Sequence, residues 1–235
     1  VYLRDHRIGA RVVLPAVEAL RIAAHSRSTH GEADVRCQEG ALFRHPLVID
    51  ESAVEIQMVH EQERYADGRR LSRLTTLLSG RRIPLTRRIE HLSVWFVSAN
   101  RDASGGARRE EGSDFPSASA RVRSVSFGSG EDSGRGMDFA TDPADLAPPT
   151  GAVFRVTADR LYDDPIPLGP AYRNVLGEVL LTEAGASATV YGGDFPDAVG
   201  SLGSPFPLDA AMHAACAWGQ RYRGRVVFPV GFDRR

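Results

Sequence analysis

Pro15-Ala16-Val17-Glu18-Ala19-Leu20-Arg21-Ile22-Ala23-Ala24-His25 reads as a helix that buries one face. Proline is favoured in a first helical turn, where its missing N–H costs nothing. Val17, Leu20 and Ala24 then recur on one side at helical spacing. A second such stretch lies near the other end. Pro207 opens a mostly apolar helix over 208–222 that contains Leu208, Ala210, Ala211, Met212, Ala214, Ala215, Cys216 and Trp218. Around the first helix lie β-prone runs at 42–49, 53–61, 71–78, 91–98 and 118–127. Residues 53–61 alternate cleanly, with Val54, Ile56, Met58 and His60 against Glu55, Gln57 and Glu61, the pattern of a half-buried strand. The run 71–78 alternates poorly. Further runs at 152–158, 176–182, 187–192 and 225–230 surround the second helix. Strands plus one long proline-led helix, twice, predict two similar α+β units. Segments 101–114 and 128–150 are rich in Gly, Ser, Asp, Arg and Pro and read as loops, the second closing on Ala147-Pro148-Pro149. The expected division is therefore 1–127, a linker at 128–150, and 151–235.

Composition narrows the function classes. The chain has 235 residues, 42% apolar and 25% charged, with a net charge of −1. That excludes a disordered or collagenous chain. It gives no global basic field, which disfavours nucleic acid as a partner. No run approaches the roughly 18 apolar residues of a membrane-spanning helix. All 29 basic residues are arginine, a bias to which no mechanism attaches. Cys37 and Cys216 make neither a disulfide scaffold nor a zinc cluster, and fit a reducing, cytoplasmic setting. A first residue Val1 with no signal-peptide pattern reads as a domain of something longer, or a chain whose ends are missing.

Two constellations carry chemistry. In Asp5-His6-Arg7-Ile8-Gly9-Ala10-Arg11-Val12-Val13-Leu14-Pro15, a histidine precedes a helix-starting proline by nine residues. Histidine gives or takes a proton near neutrality. A helix N-terminus offers unpaired N–H groups and positive partial charge to a carbonyl oxygen that is becoming negative. Together they suit abstraction of a proton α to a carbonyl. Alone, His6 also reads as a half-exposed histidine near a chain end. In Ser204-Pro205-Phe206-Pro207-Leu208-Asp209-Ala210-Ala211-Met212-His213, Asp209 and His213 share a helix face. An apolar environment favours the neutral carboxyl, the form that can donate a proton. The bland alternative for Asp209 is a first-turn acid that complements the helix dipole.

These residues resemble a family. His6-x-x-x-Ala10-x-x-x-x-Pro15 resembles the His-x-x-x-Gly-x-x-x-x-Pro motif of polyketide synthase dehydratase domains. Asp209-x-x-x-His213 resembles their Asp-x-x-x-Gln/His motif, and Leu168-Gly169-Pro170-Ala171-Tyr172 their Tyr-Gly-Pro-x-Phe segment. The three occur in the family's order and separation across nearly the whole chain. Three positions depart from it: Ala10 stands for glycine, with Gly9 adjacent to serve the turn, Leu168 removes a tyrosine hydroxyl, and Tyr172 stands where the family has phenylalanine.

The resemblance implies a double hotdog fold of class α+β, with two curved antiparallel sheets each wrapped around one long helix. It implies elimination of water from a β-hydroxyacyl thioester to give an α,β-unsaturated thioester, with no metal and no cofactor beyond the phosphopantetheine of an acyl carrier protein that holds the substrate. His6 would take the α-proton, the Ala16 N–H would polarise the thioester carbonyl beside Pro15, and His213 would hold Asp209 or the hydroxyl. Either Asp209 would protonate the leaving hydroxyl, or one histidine would make both proton transfers with Asp209 orienting the hydroxyl. Gly9, Pro170 and Tyr172 would complete the substrate-binding set. The implied partners are the carrier protein, other synthase domains and a second copy in a homodimer. Two other readings use the same scaffold: double-bond isomerisation or cyclisation, and an inactive module for carrier-protein docking. The basic pairs Arg69-Arg70, Arg81-Arg82 and Arg87-Arg88 would be a docking patch or simply a solvated face.

Overall fold

The computed structural model describes residues 2–28, 35–53, 55–79, 86–97, 121–123 and 153–235. The expected loop at 101–114 and linker at 128–150 lie outside them, as do Arg81-Arg82 and all but three residues of the run at 118–127. The chain divides into two compact units. One comprises Val1–Ser117, Phe195–Pro205 and Pro229–Arg235; the other comprises Ala118–Asp194 and Phe206–Phe228.

In the first unit, strands β1 (Arg7–Ile8) and β2 (Arg11–Val13) form a hairpin, and helix α1 (Ala16–Ser28) follows at once. The two-residue turn is Gly9-Ala10, since Ile8 pairs with Arg11. Gly9 supplies the positive φ of +61° that such a turn needs. Ala10 is thus tolerated because its neighbour performs the turn. Beyond α1 come β3 (Gln38–Phe43), β4 (Val48–Ile49), β5 (Val59–Arg64), β6 (Arg70–Ser79) and β7 (Thr86–Phe96). A five-stranded antiparallel sheet has the order β12-β3-β7-β6-β5, closed at one edge by β12 (Gly231–Arg234). Helix α1 packs on β6 and β7. Its expected face is its buried face: Val17, Leu20 and Ala24 are 3%, 0% and 0% exposed. Leu20 alone contributes roughly 1.5–3 kcal/mol by leaving water.

The ladder between β6 and β7 is irregular at one point. The ladder slips between Leu74 and Thr75, where Leu74 faces Leu92 but Thr75 faces Glu90. His91 is the extra residue of this β-bulge. It is buried, donating from Nδ1 to the His45 carbonyl (2.8 Å) and accepting at Nε2 from the Thr76 hydroxyl (2.8 Å). In the run at 53–61, described residues 53 and 55–58 are not strand, and the ladder with β6 begins at Val59 opposite Thr75. His60 is, as expected, an edge-strand residue, with Nδ1 2.7 Å from the Ser26 hydroxyl.

In the second unit, β9 (Phe154–Thr157) leads into a short helix α2 (Ala158–Asp163) that the sequence did not announce. Then come β10 (Val175–Thr182), β11 (Gly185–Val190) and the long helix α3 (Phe206–Arg223). The sheet order is β8-β11-β10-β9, antiparallel except that β8 (Arg121–Arg123) pairs with β11 in parallel. Helix α3 packs on β10 and β11. Ala210, Ala214 and Ala217 sit at 0–4% exposure, and small side chains let the helix lie close to the sheet. Trp218 is core, with Nε1–H donating to the Thr182 carbonyl at 3.0 Å. Trp95, also expected in the core, is half-buried, with Arg69 over its ring at 4.9 Å and Tyr65 at its edge. The final run at 225–230 is not a strand; pairing begins at Gly231.

Gly193 fixes the start of α3. Its φ is +78°, and a Cβ there would stand 2.2 Å from the Phe206 ring. Gly193→Ala is therefore expected to destabilise the protein by more than about 2 kcal/mol, from strained backbone plus overpacking. Denaturant unfolding measures this; a variant as stable as the parent would contradict the packing described.

Candidate active site

The first unit assembles a base beside a helix start. His6 immediately precedes β1 and is half-buried. Its main chain is tied to Val13, whose N–H donates to the His6 carbonyl at 3.0 Å. Its ring is tied to the same residue, with Nδ1 2.8 Å from the Val13 carbonyl oxygen. A carbonyl can only accept, so Nδ1 carries the hydrogen. In the neutral ring the basic lone pair is therefore on Nε2. Two residues after Val13 comes buried Pro15, and Ala16 begins α1. The Pro15 carbonyl already accepts from the N–H groups of Glu18 and Ala19, while the N–H of Ala16 stands in the first turn, where no intrahelical acceptor exists. The structure thus brings His6, Pro15 and Ala16 together through the hairpin that Gly9 turns.

A carboxylate lies in the same first turn. Glu18 is 1% exposed. Its charge is met by Arg21 Nε at 2.7 Å and by the Tyr2 hydroxyl at 3.0 Å. Burial, and then the Glu18 charge, push the Tyr2 phenol up to about 12, so it stays a donor. This neutralised cluster binds the segment before His6 onto α1. Sequence reading passed over it, although a glutamate on an otherwise apolar face was the signal.

The second unit buries a carboxyl beside an imidazole. Asp209 and His213, one turn apart on α3, are 3% and 4% exposed. His213 Nε2 lies 2.9 Å from Asp209 Oδ2. The approach is at hydrogen-bond distance but off the line of a straight bond, and buried Oδ2 has no other hydrogen-bond partner. The other ring nitrogen of His213 meets the Tyr162 hydroxyl at 3.2 Å, and that hydroxyl accepts the Val175 N–H at 3.0 Å. Burial raises the Tyr162 phenol well above its ordinary value, so it remains protonated. Tyr162 was missed because α2 has only six residues, too few to show a period. Its one signal was Thr157, which caps α2 by accepting the Arg160 N–H. Nearby Cys216 is held as a thiol; burial pushes it up to about 12, and it donates to the Val227 carbonyl.

The Gly-Pro segment is a 3-10 turn over Pro170–Tyr172. Pro170 is exposed, while Tyr172 is fully buried with its ring edge-on to Phe206 at 5.5 Å. The arginine pairs behave as a solvated face where described: Arg69 pairs with Asp67, and Arg88 with Glu61. A groove lined by Arg36, Gly200–Gly203 and Arg235 contains none of the candidate residues. Among the described residues, no three His, Cys, Asp or Glu side chains gather as metal ligands, and no helix is long and apolar enough to cross a membrane.

Comparison with known proteins bears on the fold and on the first third of the chain. Residues 1–76 match the family model of the polyketide synthase dehydratase domain. No curated protein matches the sequence. Among solved structures, the dehydratase domain from the terminal module of the rifamycin polyketide synthase superposes with a TM-score of 0.59 at 19% identity, covering 99% of this chain and 70% of that one. A dehydratase domain of a mycocerosic acid synthase-like polyketide synthase gives 0.58 at 16% identity, covering 99% and 68%. The bifunctional dehydratase-cyclase domain of ambruticin biosynthesis gives 0.51 at 18%, covering 93% and 65%. The chain therefore has the hotdog fold of polyketide synthase dehydratase domains, and its first 76 residues match that family's model.

Proposed function

We propose that this chain is a hydro-lyase that removes water from a β-hydroxyacyl thioester presented by an acyl carrier protein. The observation that carries the reading is the bond from His6 Nδ1 to the Val13 carbonyl, which leaves Nε2 as the basic atom beside the start of α1. His6 Nε2 takes the α-proton. The developing negative charge on the thioester oxygen is met by the Ala16 N–H, reinforced by the helix terminus. The Cα–H electron pair becomes the new Cα–Cβ double bond, and the Cβ–O bond breaks with its pair going to oxygen. Asp209, protonated, gives that oxygen its second hydrogen, and water leaves. His6 then loses its proton and Asp209 regains one. His213 keeps Asp209 in place. Leu168, buried at 3%, offers no hydroxyl to this chemistry. Pro170 and Tyr172 enter the proposal differently: fully buried Tyr172 supports the start of α3, and exposed Pro170 shapes the turn beside it. The substrate arrives on the phosphopantetheine of the carrier protein, and the chemistry described uses no further cofactor.

Dehydration is favoured over isomerisation because Asp209 is present, buried and supported. Shifting a double bond expels no hydroxyl and needs no such acid.

Enoyl product formed from β-hydroxyacyl thioesters, on a carrier protein or a pantetheine mimic, is followed by mass. His6→Ala is expected to lower turnover by roughly 100- to 10,000-fold, the usual range for a lost acid or base. Half-buried His6 should be removable with little loss of thermal stability. Turnover unchanged by His6→Ala would remove the proposed base.

Asp209→Asn keeps the shape of the side chain and removes the proton. A loss in the same range is expected on β-hydroxyacyl substrates. A variant that dehydrates at the parent's rate would leave Asp209 with a purely structural role.

A further inference from the structure

Tyr162 lies outside all three motifs, yet it completes a buried chain of polar groups. The Val175 N–H donates to the Tyr162 oxygen at 3.0 Å, which occupies part of that oxygen's accepting capacity. The Asn174 backbone bears on the same oxygen. The phenol O–H is then free to point at His213 Nδ1, 3.2 Å away. The rings meet edge to face at 88°, so each is held by packing as well as by the bond. If Nδ1 accepts, the neutral imidazole must carry its hydrogen on Nε2. Nε2 is the atom 2.9 Å from Asp209 Oδ2. The Nε2–H dipole thereby faces Oδ2, which has no straight hydrogen bond of its own, and disfavours a hydrogen on that oxygen.

We propose that Tyr162 is a positioning residue: through His213 it holds the acidic hydrogen of Asp209 on Oδ1, the oxygen that would serve the leaving hydroxyl. This rests on the dehydratase reading for its catalytic consequence, but the proton arrangement itself does not. The logic is that of a histidine whose far nitrogen is fixed by a neighbour so that its near nitrogen presents one defined group. Lacking the phenol O–H, Nδ1 has no donor. His213 is then free to reverse its tautomer and present a bare Nε2 to the carboxyl, which draws the acidic hydrogen onto Oδ2 and away from the substrate.

The test is Tyr162→Phe, which keeps the ring and its packing. Nitrogen-15 NMR of the labelled protein reports directly which nitrogen of His213 is protonated. In the parent, Nδ1 is expected to be bare and Nε2 protonated; in Tyr162→Phe the two tautomers should mix or invert. In turnover, kcat should fall roughly 10- to 100-fold, the usual cost of losing an orienting partner, with KM within about twofold. In a His213→Gln background the added Tyr162→Phe should cost no further kcat, because the path from Tyr162 to Asp209 is already cut. An unchanged His213 tautomer in Tyr162→Phe would overturn the proposal, as would a full additional loss of kcat in the double variant. A parent protein that dehydrates none of the thioesters offered would sink the dehydratase reading instead, while the tautomer readout, which needs no turnover, still decides the role of Tyr162.

Discussion

One hydrogen bond organises the start of the first unit: His6 Nδ1 to the Val13 carbonyl, 2.8 Å. It does three things at once. It selects the tautomer, so that Nε2 holds the lone pair. It fixes the ring against a residue two positions before Pro15, so that base and helix start move as one piece. It also closes a hairpin whose other supports are the Val13 N–H to the His6 carbonyl and the Arg7–Val12 pair. The geometry of the turn, rather than glycine at position 10, is what the hairpin requires; Gly9 with φ +61° supplies it and Ala10 follows. The buried Glu18, Arg21 and Tyr2 cluster then anchors the segment leading into His6.

The second unit solves a different problem, that of keeping a carboxyl in an apolar helix without leaving it stranded. A buried ionisable group needs partners or neutrality. Asp209 gets one close partner in His213, and His213 gets one in Tyr162. The chain ends on a backbone amide of β10 rather than on solvent. Such a run of groups is sensitive to each member, since a half-satisfied buried network is costlier than a complete one. That is why the short α2, which supplies only six residues, matters to α3.

What was legible in the sequence was whatever repeats or punctuates. Prolines at 15 and 207 and the spacing of Val17, Leu20 and Ala24 marked both long helices to within a few residues. The positions of His6, Asp209 and His213 followed from those helices. What escaped was set by partners remote in sequence. The alternation of 53–58 stated which side was apolar, but no neighbouring ladder met those residues. The slip of the β6–β7 ladder at His91 is set by pairing between the strands and not by spacing within either. Trp95 is half-buried, with Arg69 and Tyr65 against its ring, a placement set by residues remote in sequence. Tyr162 sits on a helix shorter than two turns, and its role depends on a histidine 51 residues away.

The central claim is that His6 Nε2 is the atom that removes the α-proton. The most direct measurement uses a β,γ-alkynyl acyl thioester of pantetheine. Removal of its α-proton and reprotonation at the γ-carbon gives an electrophilic allene beside the base, which then adds to the β-carbon. Peptide mass mapping locates the bond. The account predicts one adduct, on the ring of His6, absent from His6→Ala. Labelling of another residue at the same rate in both proteins would contradict it.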